Sequence, residues 1–132
     1  MIQSKLNSKF LIIAFSNDLY KFHYALSMAS SIKAVNKNVS VFISGYACNY
    51  IRKNWKDYDT KNLNQKFKNK NMGTIEDIFI YCKELNLDLF YCKTALDFLD
   101  ISKEDITDLI NIKSIGFYSI LNSYKDEQIV FI

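Results

Sequence analysis

The chain has 132 residues, of which 49% are hydrophobic and 23% charged, a composition typical of one compact domain. Three glycines, no proline and 15% aromatic residues exclude collagen-like, low-complexity and disordered classes, which bury too little apolar surface to offset chain entropy. The net charge of +3 is unevenly spread: residues 52–70 carry seven basic and two acidic side chains, whereas residues 71–132 carry eleven acidic side chains and five lysines. We expect a single domain over residues 1–132 with a local basic segment.

The first part of the chain predicts a βαβ unit. The continuous apolar run Phe10–Phe15 is typical of a strand covered on both faces. Asp18 and its two polar predecessors supply side-chain oxygens for a helix N-cap, and the helical spacing that follows continues to about Val35. After a polar turn, Val39–Ile43 predicts the second strand, and the connection between two such strands is nearly always right-handed.

The middle of the chain is less regular. A short helix is predicted through Tyr50 to Trp55, and the lysine- and asparagine-rich residues 56–72 predict a long, basic, mobile loop. Thr74 can cap a third helix, whose apolar stripe runs from Ile75 to Leu85 at helical spacing and ends at Asn86.

The last third predicts three further strands. They alternate with short helices in the order strand Leu87–Cys92, helix Thr94–Leu99, helix from a capping box at Ser102–Asp105, edge strand Ile110–Ile112, helix Ser114–Tyr124 and terminal strand Gln128–Ile132. Strands that alternate with helices predict a three-layer α/β/α sandwich around a parallel sheet.

The carboxyl ends of parallel strands are the usual place for a functional site. Three polar segments end there, and they give the candidate pocket residues Ser16, Asn17, Asp18, Ser44, Tyr46, Cys48 and Lys93 beside the candidate nucleophile Cys92. Cys92 is favoured because backbone N–H groups, the start of a helix and the neighbouring lysine all stabilise a thiolate there. A thiolate is the form that attacks sulfur or peroxide.

Ordinary structural roles are the competing interpretation of these residues. Free cysteines are among the most buried residues, and for Cys82, on an apolar stripe, packing is the favoured interpretation. His23 lies on the first helix but off its apolar stripe, which is formed by Leu19, Phe22 and Leu26, so we expect a solvated histidine. Three cysteines at irregular spacing and one histidine fit neither a disulfide framework nor a zinc set, and we expect no metal and no cofactor.

Several other classes are disfavoured. The longest fully apolar run spans six residues, far short of the roughly 20 needed to cross a bilayer, and no signal sequence precedes it, so we expect a cytoplasmic protein without a membrane partner. No glycine-rich phosphate motif occurs. A solvated lysine segment is favoured over a nucleic-acid surface, because few aromatic residues interleave with the lysines.

The sequence resembles the DsrE/DsrF/DsrH-like family over nearly its whole length. The carriers of the resemblance are the segments Leu11–Lys21, Val39–Ser44, Asn71–Asp77, Cys92 with Asp97, and Ile129–Ile132. The resemblance implies five parallel strands in the order 4-3-2-1-5, helices on both faces and assembly into homo-oligomers. Relatives bind or relay sulfane sulfur as a cysteine persulfide, and the family cysteine corresponds here to Cys92.

Three functional hypotheses follow. The leading one is a sulfur-relay or persulfide-carrier protein of the sulfurtransferase type, whose partners are sulfur donor and acceptor proteins or small thiols, with Cys48 as a resolving thiol if it approaches Cys92. The second is an oligomeric, non-catalytic module that binds a small ligand or a protein, favoured by Gly45–Ala47 standing where relatives have an aromatic and glycine-rich stretch. Thiol peroxidase chemistry is the third hypothesis. It is disfavoured because Leu89 stands three residues before Cys92, where a hydroxyl side chain is needed.

Overall fold

The computed structural model describes residues 9–132 and shows a five-stranded, wholly parallel sheet in the order β4-β3-β2-β1-β5. The strands are β1 (Lys9–Ala14), β2 (Asn38–Ile43), β3 (Asp88–Cys92), β4 (Ile112–Ile115) and β5 (Gln128–Phe131). This confirms the predicted α/β sandwich and strand order. The part of the prediction that concerns residues 1–8 lies outside the described residues.

Five α-helices and three 3-10 helices connect the strands. The α-helices are α1 (Leu19–Ala34), α2 (Leu63–Asn69), α3 (Ile75–Glu84), α4 (Lys93–Phe98) and α5 (Phe117–Ser123), and the 3-10 helices are Gly45–Ile51, Trp55–Tyr58 and Lys103–Asp105. Side-chain caps mark the starts of α1 and α3. Asp18 Oδ1 accepts from the Lys21 amide at the start of α1, and Thr74 forms a reciprocal capping box with Asp77 at the start of α3.

The layers follow from the right-handed crossovers. α1 packs on β1 and β2 and against α3, so these two helices cover one face of the sheet. The connection from β4 back to β5 crosses the opposite face, where the Phe117 ring of α5 meets Phe42 edge-on and the Tyr124 hydroxyl donates to Ser40 Oγ. Because these central strands are covered on both faces, β1 and β2 are mostly buried.

Several boundaries differ from the prediction. The helix predicted through Tyr50 to Trp55 is replaced by two 3-10 helices, Gly45–Ile51 and Trp55–Tyr58. The edge strand is Ile112–Ile115 rather than Ile110–Ile112, because the parallel register pairs Leu89 with Ile112 and Cys92 with Ile115. The helix that follows therefore starts at Phe117, three residues later than predicted.

The basic segment is not the mobile loop that the sequence predicted for residues 56–72. It contains the 3-10 helix Trp55–Tyr58 and the helix α2. Phe67 of α2 is buried against α1, and the Asp59 carboxylate accepts hydrogen bonds from the amides of Leu63 and Asn64 at the start of α2. Leu63 also packs against the core, and the Asn64 side chain hydrogen-bonds to Glu76 and the Ile75 amide, so apolar and polar contacts together fix this mostly polar segment.

Candidate functional site

Cys92 is the last residue of β3 and stands immediately before α4. Its residue exposure is only 7%, yet it borders an open pocket of about 500 Å³ at the carboxyl edge of the sheet. We call this the Cys92 pocket. It is lined by Phe15, Ser44, Gly45, Tyr46, Cys92, Thr94, Ala95, Phe98 and Phe117. The thiol residue is thus recessed in a concavity rather than displayed on the surface.

Aromatic rings form most of the wall of the Cys92 pocket, and each comes from a different connection. Phe15 follows β1, Tyr46 lies in the 3-10 helix after β2, Phe98 ends α4 and Phe117 begins α5. The Tyr46 ring meets Phe15 and Phe98 edge-on, with centroids 6.3 and 6.2 Å away. Edge-on pairs at this separation are a favoured aromatic geometry, so the rings hold one another in place.

Gly45 lets the Phe15 ring take this position. Its φ is +53°, in the left-handed region that favours glycine, and a Cβ on Gly45 would lie 2.3 Å from Phe15 Cε2. Any larger residue would push the ring away. The wall of the pocket therefore depends on a glycine that the backbone conformation also requires.

Cys48 lies behind Cys92, away from the pocket. It is fully buried, and its Sγ donates to the Ile43 carbonyl oxygen at 3.4 Å. Burial, followed by the proximity of Cys92, raises the pKa of the Cys48 thiol to about 12, although a hydrogen bond from the Cys92 backbone and the charge of Arg52 act in the opposite direction. Cys48 is consequently a neutral thiol at physiological pH.

The predicted pocket residues do not share one hollow, and Cys48 is enclosed in the core instead. Ser44 and Tyr46 line the Cys92 pocket, whereas the exposed Lys93 does not. Ser16, Asn17 and Asp18 instead line a separate, more polar hollow of about 500 Å³ beside Tyr50 and Asp59. The Tyr50 hydroxyl donates to the Asn17 carbonyl oxygen at 2.5 Å and holds this loop against the 3-10 helix after β2.

Sequence reasoning missed most of the pocket wall. Thr94 and Phe98 are four residues apart on a helix predicted to start beside Cys92, a spacing that places both on one helix face. That signal was present in the sequence. Phe117 gave no such signal, because the predicted edge strand ended at Ile112 and its true carboxyl end, Ile115, was not recognised.

His23 is not the solvated histidine that the sequence predicted. It is buried, its Nε2 lies 3.0 Å from the Gly73 carbonyl oxygen, and its ring centroid is 4.1 Å from that of Phe67. The ring fills the space between α1 and α2. This contact is tertiary, so the position of His23 beside the apolar stripe of α1 did not predict it.

Cys82 packs in the core, as the sequence predicted. It lies on the buried face of α3, with its Sγ 3.6 Å from Ser30 Oγ, and burial raises its pKa. Within residues 9–132, no three His, Cys, Asp or Glu side chains are grouped so that they could hold a metal ion. Over the same residues, every helix is too short or too polar to cross a membrane.

Comparison with known proteins agrees with this architecture. Three solved structures are similar in fold: the ychN protein from E. coli, BT1422 from Bacteroides thetaiotaomicron and MTH1491 from Methanobacterium thermoautotrophicum. Their TM-scores are 0.70, 0.64 and 0.60 at 14%, 13% and 10% identity. The alignments cover 95%, 95% and 96% of this chain and 99%, 95% and 100% of the three relatives, respectively. No curated protein matches the chain.

The fold and the strand-end pocket define a three-layer α/β sandwich with a recessed cysteine at the carboxyl edge of a parallel sheet. The family model described as the DsrE/DsrF/DrsH-like family matches residues 52–132, which is more than half of the chain and includes Cys92. The chain therefore belongs to the DsrE/DsrF/DrsH-like family.

Proposed function

We propose that this protein is a cytoplasmic sulfur carrier in which Cys92 holds sulfane sulfur as a persulfide. The observation that carries the proposal is the position of Cys92 at the carboxyl edge of the sheet, bordering an open pocket, in a chain of this family. Cys48 and Cys82 are 0% and 1% exposed and are enclosed in the core. Cys92 is thus the cysteine that a sulfur donor can approach.

The proposed reaction has two balanced steps. The Cys92 thiolate attacks the outer sulfur of a donor persulfide R–S–SH, the donor's S–S bond breaks, and R–S⁻ leaves, which gives Cys92–S–SH. An acceptor thiolate then attacks the terminal sulfur, and the Cys92 thiolate is released. Sulfane sulfur moves between thiols, so neither step needs an external oxidant or reductant.

Sulfur release is assigned to an external acceptor rather than to Cys48. Cys48 lies close to Cys92, but its raised pKa keeps it in the thiol form, and the thiolate is the nucleophile in disulfide exchange. Its proton is directed to the Ile43 carbonyl oxygen. Both features oppose attack by Cys48 on a persulfide at Cys92.

Intact mass spectrometry tests the proposal. After incubation with excess glutathione persulfide or benzyl persulfide, the protein should gain the mass of one sulfur atom, and an acceptor thiol should reverse the gain. Cys92→Ser should abolish it, whereas Cys82→Ala, which changes a cysteine in the core, should retain it. A gain that persists in Cys92→Ser, or no gain in the unaltered protein, would refute the carrier role.

A non-catalytic binding module is the second candidate, and the aromatic lining of the Cys92 pocket favours it. Phe98 is 71% exposed, and large apolar side chains exposed together in a concavity often mark a binding site. This candidate predicts ligand binding without a sulfur mass gain and without any effect of Cys92→Ser on affinity. Comparison of the unaltered protein with Cys92→Ser therefore separates the two functions.

A further inference from the structure

The lining of the Cys92 pocket contains no charged side chain. Its nine residues are aromatic, small or hydroxyl-bearing, and the hydroxyls belong to Ser44, Tyr46 and Thr94. The charged residues closest in sequence, Lys93 and Asp97, are exposed but do not line it. An anionic ligand would lose hydration on entry and would meet no charged side chain in the lining.

The dimensions of the pocket suit a small molecule. Its volume of about 500 Å³ is within the usual range of roughly 300–1,000 Å³ for ligand pockets. Cys92, at the base of the aromatic wall, is only 7% exposed. A cysteine on the surface of a folded donor protein would reach it only on a protruding segment, whereas a small persulfide can enter directly.

Backbone and ring contacts also hold the aromatic wall in place. Phe15 packs on the backbone of Gly45, where no other residue leaves it room, and Tyr46 bridges Phe15 and Phe98 edge-on. The Phe15 amide donates to the Ile132 carbonyl oxygen at 2.8 Å, and its carbonyl oxygen accepts from the Ala47 amide at 3.1 Å. The backbone on both sides of Phe15 is therefore fixed.

We infer that the Cys92 pocket selects uncharged, small-molecule sulfur donors that carry an apolar or aromatic group, an inference that rests on the proposed carrier function. The aromatic group packs against Phe15, Tyr46 and Phe98 and brings the outer sulfur to Cys92. The Cys92 thiolate then takes that sulfur, the donor's S–S bond breaks, and an apolar thiolate leaves.

Labelling with matched methanethiosulfonate reagents tests the selectivity. The Cys92 thiolate attacks the reagent's divalent sulfur and expels methanesulfinate, so benzyl and 2-sulfonatoethyl reagents differ in the group transferred. Each rate is divided by the rate with N-acetylcysteine, and the label is located by peptide mapping. We expect the normalised benzyl rate at Cys92 to exceed the sulfonatoethyl rate by about tenfold or more, the factor that burial of one aromatic group supplies.

Two variants should remove the preference. Phe98→Ser deletes a wall residue that is largely exposed, so folding should be unaffected, and Gly45→Ala displaces the Phe15 ring. Tyr118→Ser is the matched control, because Tyr118 is 81% exposed and does not line the pocket. Equal normalised rates for the two reagents in the unaltered protein, or an equal loss of preference in Tyr118→Ser, would overturn the inference.

The remaining outcomes separate this inference from the proposed function. Apolar preference in labelling without a sulfur mass gain would refute the carrier function and leave the ligand class standing. Equal initial rates of persulfide formation from benzyl and glutathione persulfides, each corrected for its intrinsic reactivity, would overturn the ligand inference and leave the carrier function standing. Slow labelling by both reagents, as expected if a second copy of the chain covers the pocket, would overturn the ligand inference.

Discussion

Cys48, in the 3-10 helix after β2, lies near Cys92, at the end of β3, and the two cysteines at the carboxyl edge of the sheet have opposite surroundings. Cys92 borders the open pocket, whereas Cys48 is enclosed and donates to the Ile43 carbonyl oxygen. The same strand end thus places one sulfur where a ligand can reach it and the other where it stays protonated. The enclosure of Cys48 determines how its thiol should respond to alkali.

Cys48 should make the protein less stable at alkaline pH. Its pKa is about 12 in the folded state against 9.0 for an ordinary thiol, so between these values the native state binds a proton that the unfolded state has lost. The stabilisation is complete below pH 9 and should decline by about 1.4 kcal/mol per pH unit as the pH rises through this window. Urea unfolding at pH 8, 9 and 10 measures the slope, and Cys48→Ala should flatten it.

The buried Cys82, Tyr50 and Tyr124 also have raised pKa values. They should therefore add to the loss of stability at alkaline pH in both the unaltered protein and Cys48→Ala. The informative quantity is therefore the difference between the slopes of the unaltered protein and of Cys48→Ala. Identical slopes would contradict the assignment of a protonated, enclosed Cys48.

Arg52 should stabilise the fold by joining three segments around the site. Its Nε donates to Asn49 Oδ1 and its Nη2 donates to the Leu99 carbonyl oxygen, both at 3.1 Å, while the guanidinium lies 4.7 Å from the centre of the Tyr58 ring. Arg52→Met should lower the unfolding free energy by about 1–3 kcal/mol, because hydrogen bonds to a charged group are lost.

Lys53→Met is the control for Arg52→Met in the same denaturation experiment. The Lys53–Asp108 ion pair is 3.9 Å long and both side chains are largely exposed, so its loss should change little. Equal effects of the two substitutions would show that Arg52 acts only through surface charge.

Phe67 should hold the basic segment in place. It is the buried residue of α2, its ring lies on His23, and its removal should cost about 3 kcal/mol locally. Limited trypsin digestion of Phe67→Ala should therefore cut after Lys66, Lys68 or Lys70 roughly tenfold faster or more. Met72→Ala, at an exposed position, should leave the rate unchanged. Equally faster cleavage after Lys113, far along the chain, would indicate global unfolding instead.

Self-association should involve the β5 edge of the sheet. Within residues 9–132, β5 lies at one edge of the sheet, and its Ile129 and Phe131 are 48% and 68% exposed. We expect light scattering at micromolar concentration to give a mass above that of one chain. Ile129→Lys should shift the protein towards the monomer, whereas Tyr118→Lys, on α5, should not. A monomeric mass for the unaltered protein would contradict the prediction.

The sequence by itself determined the fold and the position of Cys92. The apolar run Phe10–Phe15 and the mainly apolar segments Val39–Ile43 and Leu87–Cys92 are local signals, and the helix caps at Asp18 and Thr74 are interactions between residues three apart. Signals of this kind are complete within a few residues. For that reason the strand end at Cys92 was confirmed. The strand order, which the family resemblance implied, was confirmed as well.

Only the tertiary structure decided which side chains surround Cys92 and which segments are fixed. Phe15, Phe98 and Phe117 line one pocket although they come from three different connections. His23 is buried because Phe67 packs on it. The polar residues after β1 line another hollow. These contacts join residues far apart in sequence, and their geometry depends on strand register and helix start points that composition and periodicity do not specify.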